Sequence, residues 1–444
     1  MNLYKKALAA ALAAVCFNGV WSVDAAEARV HGGMAVENHT VNMTDGTFAT
    51  NNLAVNMNVD GIHPKYSNRV PASWQPVDTV DVKERNTMEP QMMKIWPVTS
   101  HDGDGTLIFS DSPEYVKDNG ILYQDVVEGS GRIFYYHLNE SRKNKKLAVV
   151  LENTTDKLAT FEITRGGLSK PSSDYLWVGK QAETAYMASD MDEKLFVLPK
   201  GARIMDKMMD ETIVHPGELV NGIYDFVTDK PVKISVIMYP ADARPVEFAK
   251  KAKILPRDEV ALRGTYQGMN RYITADKAYD PDRDGAVYMP LCDNLHDMYK
   301  TGVDATDGAA VTNYGNYGVM YYLDIPTEGK GETQYAISPL GGVYAGAMTV
   351  KEAGDDKASL IATPRHDGYY GDKTTPESVA EVEAWKNGVD YINDGTELTD
   401  LGIYDSFKKI RFEFSPPGAS NLPVNFIMMP ARQGRGLAYK WKKG

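Results

Sequence analysis

Cysteine is nearly absent, with two in 444 residues, Cys16 and Cys292. Only Cys292 lies beyond the first 25 residues, and one thiol cannot close an internal disulfide. The folded part must therefore be held by buried apolar surface rather than by bridges. Cys292 itself reads as a small buried hydrophobe, and Cys16 follows Val15, a poor predecessor for a lipid-modified cysteine. Positive charge is scarce too: 48 Lys and Arg stand against 60 Asp and Glu, for a net charge of −12. Phosphate binding depends on clustered cations, so a nucleic-acid surface is excluded. After the N-terminal stretch no apolar run reaches membrane length, and no transmembrane span is expected. Catalytic signatures are missing as well. There is no G-x-S-x-G elbow, no H-E-x-x-H, no phosphate loop and no dinucleotide fingerprint. None of the eight histidines forms an H-x-H pair. Carboxylate pairs abound, but in an acidic chain they carry no specificity.

What is present begins at the N-terminus. Lys5 and Lys6 precede an apolar run from Ala7 to Val15, and small residues follow at Val23-Asp24-Ala25 and Ala26-Glu27-Ala28. A positive segment, a short apolar core and A-x-A-type cleavage positions form the secretory pattern. Residues 1–25 are read as a signal peptide. The chain is then expected outside the cytoplasm: periplasmic, on the cell surface or secreted. Residues 26–96 form a polar, proline-dotted leader or tether in which only Leu53 to Val59 alternates like a strand.

Beyond the leader two segments resemble one another. Gly129 to Asn139, with paired Tyr135 and Tyr136, matches Gly315 to Ile325, with paired Tyr321 and Tyr322. Further apolar stretches follow each, at Leu147–Leu151 and Gln334–Ile337, then at Ala159–Ile163 and Val343–Val350. Helix candidates come next, at Gly179 to Ala188 after Ser172-Ser-Asp174, and at Ser378 to Trp385 after Thr375-Pro376-Glu377. Both segments close on Ile-Met-x-Pro-Ala, at Ile237–Ala241 and Ile427–Ala431. Many short strands separated by Gly, Pro, Asn and Asp turns make a mainly β chain. The expected architecture is two tandem β-sandwich domains, 97–246 and 257–432, related by internal duplication and each with a helical insertion. A basic tail, 433–444, ends the chain and suits an anionic polymer or surface.

Two kinds of site stand out. Asp280-Pro-Asp282-Arg-Asp284-Gly285 spaces three carboxylates alternately before a turn glycine, which suits oxygen ligation of Ca2+ by Asp280, Asp282 and Asp284. The alternative is an ordinary acidic turn, since Leu291 stands where an EF-hand needs an acid. Aromatic rings on glycine-bordered loops, Trp177, Tyr369, Tyr370, Tyr314 and Tyr317, are candidates to stack on sugar faces. The competing reading has tyrosines lining a sandwich rim, one end apolar and the other wet.

Gly129–Asn139, Asn313–Val319 and the two Met-x-Pro-Ala endings resemble uncharacterised exported two-domain envelope proteins of Gram-positive-related bacteria, often found alongside copper-amine-oxidase N-terminal-like domains. The likeness spans roughly residues 98 to 432. It implies a place in the envelope and no known activity. Oxidase chemistry is not implied, because Gly315 follows Asn313-Tyr314 where that enzyme carries an acid, and the His-x-His ligands are missing. The leading expectation is a non-catalytic cell-envelope protein, structural, adhesive or ligand-binding, meeting a cell-wall polymer, a glycan or another envelope protein. A carbohydrate-binding protein using the loop aromatics and an exported hydrolase with unidentified carboxylates are the alternatives.

Overall fold

The computed structural model describes residues 28–30, 34–36, 91–339, 343–365, 369–370, 389–392 and 398–431. The signal peptide, the strand candidate at 53–59, the helix candidate at 378–385 and the basic tail lie outside the described residues. The protein is mainly β, with sheets packed in sandwich fashion. The principal elements of the first half are β1 (Gln91–Ile95), β2 (Thr99–Asp102), β3 (Thr106–Ser110), β4 (Gly120–Asn139), β5 (Lys145–Asn153), β6 (Ala159–Leu168), α1 (Tyr175–Met187), β7 (Glu193–Val197) and β8 (Leu219–Pro240). Those of the second are β9 (Arg263–Gln267), β10 (Asn270–Thr274), β11 (Val287–Leu291), β12 (Met320–Leu323), β13 (Glu332–Pro339), β14 (Gly346–Glu352), β15 (Ser359–Thr363), β16 (Thr399–Asp405), β17 (Ile410–Phe414) and β18 (Val424–Pro430). Among the described residues no helix is long and apolar enough to cross a membrane.

Two long strands show how one stretch of sequence makes two layers. β4 and β8 pair antiparallel from Leu219↔Leu138 to Thr228↔Gly129, lose register, and pair again from Val232↔Val127 to Met238↔Gly120. The break falls where Gly129 has a φ of +86° and where Pro231 has no N–H to give the ladder. Both strands bend there. β8 consequently lies against β6 before the break and against β5 after it.

Alternation then sorts the side chains. Ile108, Ile133, Tyr135, Val220, Tyr224 and Phe226 fill the core of the first half. Their sequence neighbours Leu107, Phe109, Phe134, Tyr136 and Leu138 point to the opposite face, into a larger core shared with Tyr321, Tyr335, Phe412 and Phe426. A sheet buried on both faces needs an unbroken apolar run rather than strict alternation. Ile133-Phe134-Tyr135-Tyr136-His137-Leu138 is such a run.

The pairing order of the first half recurs in the second. β17 lies between β12 and β14 as the first stretch of β8 lies between β4 and β6. β18 lies between β11 and β13 as the later stretch of β8 lies between β4 and β5. The two Met-x-Pro-Ala endings occupy matching places. Tyr135 and Tyr136 face Gly222 and Asn221 in β8, and Tyr321 and Tyr322 face Phe414 and Glu413 in β17. Paired aromatics are general strand vocabulary, and register is set by which neighbours are met.

The segments leading into each half cross to the other. β3 runs parallel beside β4 and pairs on its far side with β9, whereas β10 runs parallel beside β12 and pairs with β2. β1 lies parallel to β11, and Ile254 lies parallel to Ile121. The two halves are thereby interleaved rather than strung one after the other.

α1 starts four residues earlier than its sequence candidate, because Asp174 is the cap and accepts from the Trp177 N–H at 3.1 Å. The helix is wedged between the halves. A Cβ on Gly167 of β6 would stand 2.4 Å from the Ala182 carbonyl oxygen, and one on Gly179 would stand 1.8 Å from that of Gly418. Glu183 is fully buried and accepts from the Ala347 N–H at 3.0 Å.

His137, in β4, has Nε2 2.8 Å from Ser110 Oγ and Nδ1 3.0 Å from the Pro113 carbonyl oxygen. Burial lowers its pKa to about 4. The neutral ring is thus favoured on folding. Its contribution is whole above the unfolded value near 6.5 and is lost as pH falls toward 4. At pH 4.5 this amounts to about 2–3 kcal/mol. Urea midpoints at pH 7 and pH 4.5 should fall more steeply for the wild type than for His137→Gln; equal pH slopes would contradict the assignment.

Candidate functional site

The three candidate calcium ligands serve one capped helical turn, Pro281–Asp284. Asp280 accepts from the Asp282 N–H at 3.0 Å, and Asp284 accepts from the Asp280 N–H at 3.0 Å. Asp284 also pairs with Lys277 at 2.6 Å and Arg283 at 2.8 Å. Burial pushes its carboxyl up, but the bonds from Arg283 and Lys277 prevail and hold it well below the usual range. The Asp280 and Asp284 carboxylates are engaged by the chain's own amides and cations, and Asp282 contributes its N–H to the turn. Among the described residues no three or more His, Cys, Asp or Glu side chains are grouped to hold a metal ion.

The aromatic candidates separate into two groups. Tyr369 and Tyr370 are 3% and 2% exposed. Tyr369 packs with Leu176, Val343, Ala345 and the half-buried Trp177, and the Tyr370 ring lies 6.4 Å from Tyr344. These rings are interior packing beneath the start of α1, not a stacking platform. Burying so much ring surface there outweighs what a glycine-bordered loop position suggests. Tyr317 is half-buried, stacked on Phe109 at 6.5 Å, and donates to the Ser420 carbonyl at 2.7 Å. Tyr314 remains at the surface, 44% exposed.

Around Tyr314 the fold assembles a face that sequence reasoning missed. Its ring meets Tyr299 edge-on, 6.0 Å between centroids and 86° between planes. Leu295 and Met298, 48% and 58% exposed, stand on the same 292–299 loop as Tyr299. That loop is tightly tied. Asp293 accepts from the N–H groups of Leu295, His296 and Asp297 at 2.8–3.0 Å, and its other oxygen meets His296 Nδ1 at 2.6 Å. Asp297 accepts from the Cys292 N–H at 2.7 Å, the Tyr321 hydroxyl at 2.6 Å and Arg271 at 2.5 Å. Asn316, in the Tyr314 loop, accepts from the Lys300 N–H at 2.8 Å and donates to Tyr321 Oη at 2.7 Å and the Met298 carbonyl at 3.2 Å. Beneath them Arg271 and Lys300 both reach Asp102, at 2.9 and 2.5 Å.

This scaffold holds the backbone where few residues go willingly. Cys292, Asn294 and Asn316 have φ of +60°, +56° and +53°. Left-handed conformations in non-glycine residues persist where surrounding bonds over-determine them, and they gather at functional sites. Nucleophilic chemistry at Cys292 is not supported. Burial pushes the thiol well above its usual pKa, and the Asp297 charge adds to this. Burial likewise raises Asp297 against the pull of Arg271. What the site offers a ligand is a rigid surface of two tyrosine rings and two apolar side chains, with Asn294 and His296 exposed beside them. The one local signal in the sequence is Asp293-Asn294 followed by Asp297, acids and amides spaced to bind their own backbone.

No family model matches the sequence, and no curated protein sequence matches it. Among solved structures, vicilin from Solanum lycopersicum (tomato) aligns at 8% identity and a TM-score of 0.10, covering 72% of this chain and 84% of that one. Vicilin from Capsicum annuum aligns at 9% identity and a TM-score of 0.09 with the same coverage. Likenesses this slight carry no argument about fold or function.

Proposed function

We propose that this chain is exported and acts without catalysis as a binding protein of the cell envelope, meeting a wall polymer or other glycan through the Tyr299–Tyr314 face. The observation that carries the reading is Tyr314: an exposed ring, set edge-on to a second, on loops fixed by buried carboxylate and amide bonds. A preorganised surface loses little freedom when a ligand arrives, so modest contacts suffice for measurable affinity. Sugar rings present flat apolar faces for stacking and hydroxyls for neighbouring amides. Export is supported by Lys5, Lys6, the apolar run to Val15 and the small residues around Ala25.

The test is sedimentation with purified peptidoglycan together with a glycan array. Tyr314→Ala should weaken binding about tenfold or more, roughly 1.4 kcal/mol, while the melting temperature stays unchanged. Trp177→Ala, which opens the packing under α1, should lower the melting temperature and spare affinity in the folded protein. Undiminished binding by Tyr314→Ala would sink the reading.

A further inference from the structure

The 292–299 loop does more than carry two apolar side chains beside Tyr314. It also fixes which atoms of its exposed polar residues are left for a ligand. Asn294 is exposed, and its Oδ1 accepts from the Tyr299 N–H at 3.0 Å. That bond settles the orientation of the amide, because only its oxygen can accept. Nδ2 is left at the surface with two N–H groups and no partner among the described residues. His296 is settled in the same way. Its Nδ1 lies 2.6 Å from Oδ2 of Asp293, whose side chain is 1% exposed. A carboxylate accepts, so the proton sits on Nδ1, and Nε2 of the neutral ring presents a lone pair. The ring is 37% exposed, and Nε2 likewise has no partner among the described residues.

The loop therefore shows a ligand one fixed donor and one fixed acceptor, on either side of Leu295 in sequence. The group that orients His296 is itself held, since Asp293 Oδ1 takes three backbone N–H groups at 2.8–3.0 Å. Side chains tied from within lose little further freedom when a ligand binds.

The substituent that matches this arrangement is an acetamido group. A sugar hydroxyl can donate or accept as required, so a hydroxyl array makes no use of a fixed donor and acceptor. It would also set Leu295 and Met298, 48% and 58% exposed, against polar edges. An acetamido group brings a carbonyl that accepts, an N–H that donates and a methyl group that is apolar. The carbonyl suits Asn294 Nδ2, the N–H suits His296 Nε2, and the methyl suits Leu295 and Met298. Binding sites are generally of this kind, apolar surface with a few placed polar atoms that fix orientation. We infer that the Tyr314 face selects N-acetylated hexosamines, with Asn294 and His296 reading the acetamido group while Tyr314 meets the sugar ring. This rests on the glycan-binding reading of the same face and narrows it to one class of sugar.

The experiment is calorimetric titration of the full chain with chitohexaose and with cellohexaose, β-1,4-linked glucans that differ only in the acetamido or hydroxyl group at C2. The wild type should bind chitohexaose at least about tenfold more tightly, the worth of one or two hydrogen bonds. Asn294→Asp keeps an oxygen for the Tyr299 N–H and tolerates the left-handed φ of +56° at this position, but it removes the outward donor. It should lose the preference without a change in melting temperature, and Leu295→Ser/Met298→Ser should reduce it. Equal affinity of the wild type for the two sugars, with Tyr314→Ala weakening both, would overturn the inference and leave the glycan-binding reading standing. A preference that survives Asn294→Asp would overturn it too, as would binding to peptidoglycan with none to chitohexaose. Failure to bind any glycan would remove both.

Discussion

Arg132→Met should destabilise the protein by about 3–5 kcal/mol, the range for breaking a buried ion pair from one side. The guanidinium is 1% exposed and grips Asp225 with two bonds, Nε to Oδ1 at 2.6 Å and Nη2 to Oδ2 at 2.9 Å. Its remaining N–H groups donate to the Met269 carbonyl at 2.7 Å, the Gly318 carbonyl at 3.0 Å and Asn270 Oδ1 at 3.1 Å. Methionine fills similar space but strips the Asp225 carboxylate of its paired guanidinium, leaving it the Tyr186 hydroxyl at 2.9 Å, and leaves three acceptors short of a donor. Met269 and Asn270 lie at the β9–β10 turn, so the same residue that neutralises Asp225 also clasps the hairpin crossing from the second half. The measurement is the denaturant midpoint. Adding Asp225→Leu should recover part of the loss, because the stranded charge then goes as well. A shift within 1 kcal/mol, as for exposed pairs, would show that the network is dispensable.

Gly179→Ala should cost about 3 kcal/mol, although alanine is the better helix former by about 1 kcal/mol. The added methyl group would stand 1.8 Å from the Gly418 carbonyl oxygen. That oxygen belongs to backbone, which cannot swing aside as a side chain can. α1 must lift from the 417–420 turn, straining the Glu183 bond to Ala347 and the packing of Trp177 against Tyr369. Thermal melting should fall by several degrees, with a red-shifted tryptophan emission as Trp177 becomes wetter. An unchanged or raised melting temperature would mean that the contact is slack.

The sequence makes some of this architecture plain and hides the rest for physical reasons. Strand content and the matching Ile-Met-x-Pro-Ala endings are local signals. Such signals rest on backbone propensity and alternation, which a few residues determine. Which residues the tyrosine pairs meet, Gly222 and Asn221 for Tyr135 and Tyr136 but Phe414 and Glu413 for Tyr321 and Tyr322, depends on the strand across the ladder and not on either run alone. The crossing of β3 and β10 is invisible for the same reason. The site shows a similar division. Tyr314 is recognisable from its glycine-flanked loop, and Tyr369 and Tyr370 resemble it in sequence yet end in the interior. Leu295, Met298 and Tyr299 carry no motif; what places them is the buried network of Asp297, Arg271 and Asn316, drawn from segments far apart in the chain. Asp280, Asp282 and Asp284 show the converse: a spacing that suits a cation also suits a capped turn closed by Lys277 and Arg283.

The exchange of leading segments has a consequence for the order of events as the chain is made. The first sheet lacks its outer neighbour until residues 263–267 arrive, and its clasp on Arg132 is open until residues 269 and 270 are in place. A ribosome delivering the N-terminal half alone delivers an incomplete sheet with a raw edge. Stable closure waits for more than half of the polypeptide, which ties the maturation of the first sheet to the arrival of the later half.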